Sequence, residues 1–266
     1  MISEFPLWAF TILSGIACGA YIAAAFFPTA KVNQATVANG SEAQVESNGK
    51  TWVFPLMVLV LVAVGGLCAV GHLGRPLQML NVLNNPLASI TMEGIFTGLL
   101  GAVALVDFFL SKKEGASPRW IRIVGGIVSV LFILVVTSAY VTSYGNPSWR
   151  ALPTFPLFLL GDLSVGFALW FSLFDKKSKL LVLVSGIISA LFALNLIWEG
   201  IVFAGLAQAG TGVIIAGAVI AIAQSVLSFL SWSGKIEAPW MRSAILALAL
   251  LALFVSRYGF YMASII

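Results

Sequence analysis

The sequence is poor in charge and in the residue types that hold metals or form disulfides. Only 9% of its 266 residues are Asp, Glu, Lys or Arg, whereas about 25% are charged in a typical soluble domain. It contains two cysteines and one histidine, too few for a disulfide framework or a Cys/His metal cluster. These shortages argue against a water-soluble domain that is stabilised by disulfide bonds or bound metals.

Long apolar runs take the place of the missing charge. The mean hydropathy is +1.04, and the runs are continuous rather than alternating, which favours helices over a barrel because each backbone polar group must be paired in lipid. The predicted fold class is all-α, a bundle of eight transmembrane helices forming one integral membrane domain over residues 1–266. The predicted spans are 5–27, 52–72, 89–111, 121–143, 155–174, 180–206, 211–232 and 241–263.

The basic residues are distributed unevenly between the two faces of the predicted bundle. Loops one, three, five and seven contain 11 of the 14: Lys31, Lys50, Lys112, Lys113, Arg119, Arg122, Lys176, Lys177, Lys179, Lys235 and Arg242. The opposite face has only Arg75, Arg150 and Arg257. Because cytoplasmic loops collect Lys and Arg, we expect a protein of the cytoplasmic (inner) membrane with both termini outside the cytoplasm. The net charge of +4 is then a sign of topology rather than of nucleic-acid binding.

Ionisable residues inside membrane spans are costly, so each is a candidate functional residue. Glu93, Asp162, Glu199 and the sole histidine, His72, all fall in the outer half of their predicted spans. Asp107 is different, because it lies near the inner end of the third span close to two lysines. For Asp107 we expect a solvated carboxylate at the membrane interface.

Polar and aromatic residues gather at the same outer depth: His72, Arg75, Glu93, Tyr140, Trp149, Arg150, Asp162, Glu199, Arg257 and Tyr261. Such a group suits a ligand with a proton-exchanging head and an apolar body, and a quinol fits that description. Quinol oxidation releases protons, for which His72 is the natural acceptor. Glu93 could orient the imidazole or carry its proton outward, and the arginines could stabilise a quinolate anion.

Structural alternatives exist for these residues. His72 could simply end its span and cap helix carbonyls. Asp162 and Glu199 could pair with Arg257 or Arg150 instead of contacting a ligand.

Aromatic residues of the last span have an alternative role as well. Tyr258 and Tyr261, each taken singly, are typical of the aromatic belt that anchors a helix at the interface.

A haem-bearing anchor is an alternative, since many quinol-oxidising membrane subunits hold b-type haem. The single histidine excludes bis-His ligation, although ligation by His and one of six methionines stays open. The chain also lacks cysteine clusters for an iron–sulfur centre. We therefore expect no haem, iron–sulfur or molybdenum cofactor in this chain, and electrons taken from quinol should pass directly to a partner subunit.

Several segments together resemble the membrane anchor family of dimethyl sulfoxide reductase, DmsC. The most specific is His72-Leu73-Gly74-Arg75-Pro76-Leu77, followed by Asn81-Val82-Leu83-Asn84, Ala88-Ser89 and Glu93. Others are Glu4-Phe5-Pro6-Leu7 with Phe10-Thr11, Trp149 with Thr154-Phe155-Pro156, and Arg257 with Phe260-Tyr261. The similarity runs from end to end of the chain.

The resemblance implies an eight-helix anchor that oxidises menaquinol without haem and has both termini outside the cytoplasm. Electrons would go to a four-cluster iron–sulfur subunit coupled to a molybdopterin catalytic subunit, and the family's quinol site would correspond to His72 and Glu93. A polysulfide-reductase-type anchor is a related alternative.

Two further alternatives come from other classes of protein. In an ion or solute transporter, Asp162 and Glu199 would form an ion path, but the polar residues stop at one face and no pair of spans is broken at its midpoint. The other is a purely structural anchor.

Overall fold

The fold is a bundle of long helices. The computed structural model describes residues 4–27, 51–73, 80–81, 83–175, 178–236 and 238–263. Its helices are α1 (Phe5–Phe26), α2 (Val53–His72), α3 (Ser89–Glu114), α4 (Arg119–Val141), α5 (Thr154–Leu173), α6 (Lys179–Gly205), α7 (Thr211–Trp232) and α8 (Met241–Met262). All eight are long and apolar enough to cross a membrane, and the described residues contain no strand. The prediction of an all-α, eight-span membrane protein is confirmed.

Local sequence signals explain several helix ends. Pro6 lies in the first turn of α1, where its missing N–H costs nothing. Ser178 caps α6 by accepting a hydrogen bond from the Leu181 backbone N–H at 3.1 Å. α3 runs about one turn beyond its predicted end at residue 111, because the first residue that can reverse the chain is Gly115, with a φ of 69°.

The helices form two four-helix halves. In the first half, α1 packs on α2, α2 on α3, α3 on α4, and α4 on α1; α5 to α8 repeat this order of neighbours. The halves meet mainly through α1 with α5, α4 with α5, and α1 with α8. The same arrangement thus occurs twice although the sequence shows no convincing internal repeat.

Successive helices run in opposite directions, so the bundle has two distinct ends. We call the end where α1, α3, α5 and α7 begin the near end, and the other the far end. Near-end contacts include the Tyr261 hydroxyl on α8 with Thr11 on α1. At the far end, the Trp170 indole on α5 donates to the Phe27 carbonyl just after α1 at 2.7 Å.

α1 lies at the centre and contacts α5 through glycine. Gly15 and Gly19 are four residues apart on one face of α1, the small-xxx-small spacing that lets transmembrane backbones approach closely. A Cβ on Gly19 would overlap the Asp162 backbone carbonyl, and a Cβ on Gly166 would overlap the Gly19 backbone. A Cβ on Gly15 would overlap the Asp162 carboxylate itself. The position of Asp162 therefore depends on α1 having no side chain there.

Gly19→Ala tests this contact. The added methyl group meets backbone atoms that cannot rotate away, so we expect a loss of about 1–3 kcal/mol in stability, measured by thermal unfolding of the detergent-solubilised chain. Gly98→Ala on α3 is the matched control, because a methyl group added there would meet no heavy atom of a neighbouring helix within 4 Å. Equal unfolding temperatures for the two variants would contradict the close α1–α5 packing.

Candidate functional site

A buried ion pair joins α5 and α8 towards the near end. Arg257 Nη2 donates to Asp162 Oδ1 at 2.9 Å, and the two side chains are 0% and 4% exposed. The guanidinium also lies over the Phe158 ring, with Cζ 3.4 Å from its centroid. Each charge would be strongly destabilising without its partner in this environment. Of the two roles considered for Asp162, the structure shows the ion pair with Arg257.

Glu199 on α6 is also fully buried with Thr154 as a polar neighbour, but neither of its carboxyl oxygens has a hydrogen-bond partner within 3.5 Å among the described residues. The same holds for Arg257 Nε and Nη1, Thr154 Oγ1 and Asn195 Oδ1. Asn195 lies one turn before Glu199 and donates through Nδ2 to the Pro153 carbonyl at 3.1 Å, which places it beside Thr154. Because buried polar atoms are nearly always paired, these unpaired atoms on α5, α6 and α8 are suited to bind water or polar ligand atoms.

Two buried tyrosines connect the two halves of the bundle. The hydroxyls of Tyr140 on α4 and Tyr261 on α8 are hydrogen-bonded to each other. Tyr261 also contacts Thr11 Oγ1 on α1 at 3.4 Å. Glu93, half-buried on α3, is electrostatically coupled to both tyrosines. The tyrosines thus lie within range of charge interaction with both the Glu93 carboxylate and Arg257.

An aromatic wall surrounds the tyrosine pair. Trp149 stacks on Phe260, with ring centroids 5.7 Å apart, and its indole donates to the Phe260 carbonyl at 3.2 Å. The Tyr140 ring stacks on Phe158 with centroids 5.0 Å apart. Phe158 is also the ring under Arg257, so the tyrosine pair and the ion pair share one wall.

Six titratable residues therefore form one group, the near-end cluster: Glu93, Tyr140, Asp162, Glu199, Arg257 and Tyr261. Trp149 borders it. His72 is the last residue of α2, and its side chain lies outside the described residues, as does all of Arg75. Arg150 is exposed over the Tyr144 ring, with Cζ 4.7 Å from its centroid, so the structure does not bring it into the cluster.

The expectation of an interfacial anchor is wrong for Tyr261, which is 0% exposed. Tyr258 is 38% exposed and fits that role. The difference arises because the two residues project from α8 about 60° apart in helical register, enough to place one against α1 and α4 and leave the other at the bundle surface.

Sequence reasoning missed Asn195 and Phe158 as members of the site. Asn195 could have been noticed as a polar residue one helical turn before Glu199 in an apolar span. Phe158 carries no such signal, because an apolar ring in an apolar helix is typical of any span.

Asp107 contradicts the expectation of a solvated interfacial carboxylate. It is 0% exposed and forms a salt bridge with Arg122 Nε at 3.1 Å. The Tyr21 hydroxyl donates to it at 3.0 Å, and the Ser111 hydroxyl at 3.1 Å. The nearby lysines indicate an interfacial depth, but α1 and α4 cover this face of α3. Arg122, assigned to a loop from the sequence, is likewise buried, with its guanidinium over Phe54.

Within the part of the chain that the structure describes, His, Cys, Asp and Glu form no group of three or more that could hold a metal ion. An open cavity of about 420 Å³ lies between the far ends of α5 to α8, remote from the near-end cluster.

The fold and this cluster define a class of protein: a polytopic helical membrane protein with titratable groups buried near one face. Over residues 1–263 the chain matches the family described as DMSO reductase anchor subunit (DmsC). The protein therefore belongs to the DmsC family, confirming the resemblance noted in its sequence. No curated protein gives a match. Membership makes it an anchor within an oxidoreductase complex, alongside catalytic and electron-transfer subunits.

The ion pair can be tested by removing one charge or both. Arg257→Met leaves Asp162 buried without its partner, and we expect a loss of about 3–5 kcal/mol in stability. Asp162→Leu combined with Arg257→Met removes both charges, and most of the stability should return. Unfolding of the detergent-solubilised chain is measured for Arg257→Met, for Asp162→Leu and for the double variant. A double variant as unstable as the sum of the two single variants would contradict a direct pair.

Proposed function

We propose that this chain oxidises menaquinol at the near-end cluster and passes the electrons to a four-cluster iron–sulfur subunit of a molybdoenzyme complex. The observation that carries the proposal is the gathering of two buried acids, one half-buried acid, two buried tyrosines and one buried arginine at one end of a DmsC-family anchor. By the distribution of basic residues, the near end faces the outside of an inner membrane. The partner subunits then lie on that side.

The chemistry requires proton acceptors at the quinol ring. Oxidation breaks the two quinol O–H bonds, and two electrons leave one at a time to the iron–sulfur subunit while two protons leave to the aqueous phase. His72 ends α2 and Glu93 lies in the second turn of α3, so both backbones are at the near end. In this proposal His72 takes a proton from one quinol oxygen and Glu93 carries it outward.

Arg257 supplies positive charge where the quinol head becomes anionic. Its Nε and Nη1 are not hydrogen-bonded to described residues, which leaves donors free for a ring oxygen or a bridging water. Asp162 is a positioning residue, because its bond to Nη2 fixes the guanidinium. Tyr140 and Tyr261 provide hydroxyls that can exchange hydrogen-bond partners without becoming charged.

Glu199 is proposed to relay the second proton. Arg257 contacts Asp162 directly and is near enough to Glu199 to interact with it electrostatically. Asp162 already neutralises the only buried positive charge described in this cluster, so a second carboxylate would be an uncompensated charge in a low-dielectric site. Proton uptake removes that charge. A neutral Glu199 can release its own proton as it accepts one from the quinol side, so it relays a proton without leaving an unpaired charge.

Membership of the anchor family favours this function over an ion or solute transporter. It also favours a DmsC-type anchor over a polysulfide-reductase-type anchor.

His72→Ala and Glu93→Gln test the quinol site. In the assembled complex, we expect each change to lower quinol-dependent reduction of the terminal acceptor by about 10²-fold or more, the scale of removing a proton-transfer group. Reduction by a soluble dye donor, which bypasses this chain, should persist.

Arg150→Gln is the control for that experiment, because it removes an exposed near-end charge outside the cluster. Its two activities should match those of the unmodified complex. If His72→Ala kept full quinol activity, the chain would be a structural anchor. Loss of both activities in His72→Ala would mean that assembly had failed, and the Glu93→Gln result would then decide.

Glu199→Gln tests the second proton relay. Because a neutral amide replaces a buried acid of the same shape, we expect unfolding temperature to stay equal or rise while quinol oxidation falls at least about 10-fold. Glu114→Gln, the same change at an exposed position at the far end, should alter neither quantity. Unchanged quinol oxidation in Glu199→Gln would exclude this role.

A further inference from the structure

The far-end cavity differs in character from the near-end cluster. It has a volume of about 420 Å³ and lies where α5 and α7 end and α6 and α8 begin. Its apolar wall includes Phe171 and Met241, and its polar lining is Ser178, Lys179, Ser231 and Arg242. No carboxylate is among the described lining residues. One side of the cavity is therefore hydrocarbon-like and the other is cationic.

The polar lining is arranged to donate hydrogen bonds. Ser178 Oγ accepts from the Leu181 backbone N–H at 3.1 Å, so its own hydrogen stays available for a ligand. Ser172 donates to the Arg242 carbonyl at 2.8 Å, which ties the start of α8 to α5. Lys179 and Arg242 add two positive charges. An anion with several oxygen acceptors satisfies this set of donors.

Two long helices begin at this cavity. α6 has 27 residues and α8 has 22, and the positive end of each helix dipole lies at its first turn. The helix starts therefore reinforce the charge of Lys179 and Arg242 rather than oppose it. Unpaired N–H groups in first turns favour a phosphate in particular.

The neighbouring tryptophans place the cavity at headgroup depth. Trp232 ends α7 and is 42% exposed, and Trp240 precedes α8 and is 57% exposed. Exposed tryptophans at helix ends concentrate at the boundary between headgroups and hydrocarbon. Leu180, 60% exposed beside Lys179, offers an apolar surface along which an acyl chain can lie.

We propose that the far-end cavity binds the phosphate headgroup of an anionic phospholipid. Lys179, Arg242 and the serine hydroxyls hold the phosphate, while the glycerol and the first acyl carbons contact the Phe171 and Met241 wall. By the distribution of basic residues, this end faces the cytoplasm, the side of the membrane where basic pockets between helices meet anionic lipid. The site is separate from the quinol chemistry and does not depend on it.

Native mass spectrometry of the full chain in detergent tests the proposal, with phosphatidylglycerol and phosphatidylcholine supplied at equal concentration. We expect phosphatidylglycerol to be retained in preference. Lys179→Gln with Arg242→Gln should weaken its binding by on the order of 30-fold, since each basic residue near a membrane surface contributes about fivefold. Lys179→Gln alone changes an exposed position and should weaken phosphatidylglycerol binding about fivefold. This single variant replaces the double variant in the test if the double variant does not fold.

Lys112→Gln with Lys113→Gln is the matched control. It removes two exposed far-end charges outside the cavity and should leave phosphatidylglycerol binding unchanged. An equal loss in this control would mean that total surface charge, not the cavity, attracts the lipid, and would overturn the proposal. Equal retention of the two lipids by the unmodified chain would also overturn it.

A third arm of the experiment separates a lipid from a free anion. Inorganic phosphate, added at the same concentration as the lipid, should not displace phosphatidylglycerol, because it lacks the apolar part that contacts the wall. Full displacement would show a site for the soluble ion and would overturn the lipid assignment.

Discussion

The guanidinium of Arg257 is the constraint on which the arrangement of the central helices depends. A positive charge without solvent exposure requires an acid within contact distance, and Asp162 supplies it from α5. Asp162 fits there only because Gly15 and Gly19 leave its face of α1 bare. One electrostatic requirement on α8 thus sets the contact between α5 and α8 and the close approach of α1 to α5.

Two buried ion pairs are found among the described residues, Asp107 with Arg122 and Asp162 with Arg257. They differ in how many of the neighbouring polar atoms are hydrogen-bonded. Asp107 at the far end receives hydrogen bonds from Tyr21 and Ser111 in addition to Arg122, and one buried nitrogen of Arg122, Nη1, is not hydrogen-bonded to described residues. At the near end, two nitrogens of Arg257 and both carboxyl oxygens of Glu199 are not hydrogen-bonded to described residues. Dense pairing is typical of a structural tie between helices. Open hydrogen-bonding capacity is typical of a site that exchanges water, protons or ligand atoms.

The near-end cluster also lies where the two halves of the bundle meet. Tyr140 belongs to the first half and Tyr261 to the second, and their hydroxyls are bonded across the boundary. Ligand sites are common at such boundaries, because side chains from several elements can converge there without disrupting the core of either half. Polar groups from both halves therefore converge on one site.

The sequence alone determined the eight spans, because a run of about 20 apolar residues has no stable location except across a bilayer. It also determined which polar residues lie at the same depth in the membrane, because the order and direction of the helices set the depth of Glu93 and of Glu199. Only the tertiary structure decided which of them touch. The face that a helix turns toward its neighbours is set by packing, which one helix sequence does not reveal. The residues that meet are also far apart along the chain, as Tyr21 and Asp107 are. Depth is a property of one helix, whereas pairing is a property of several.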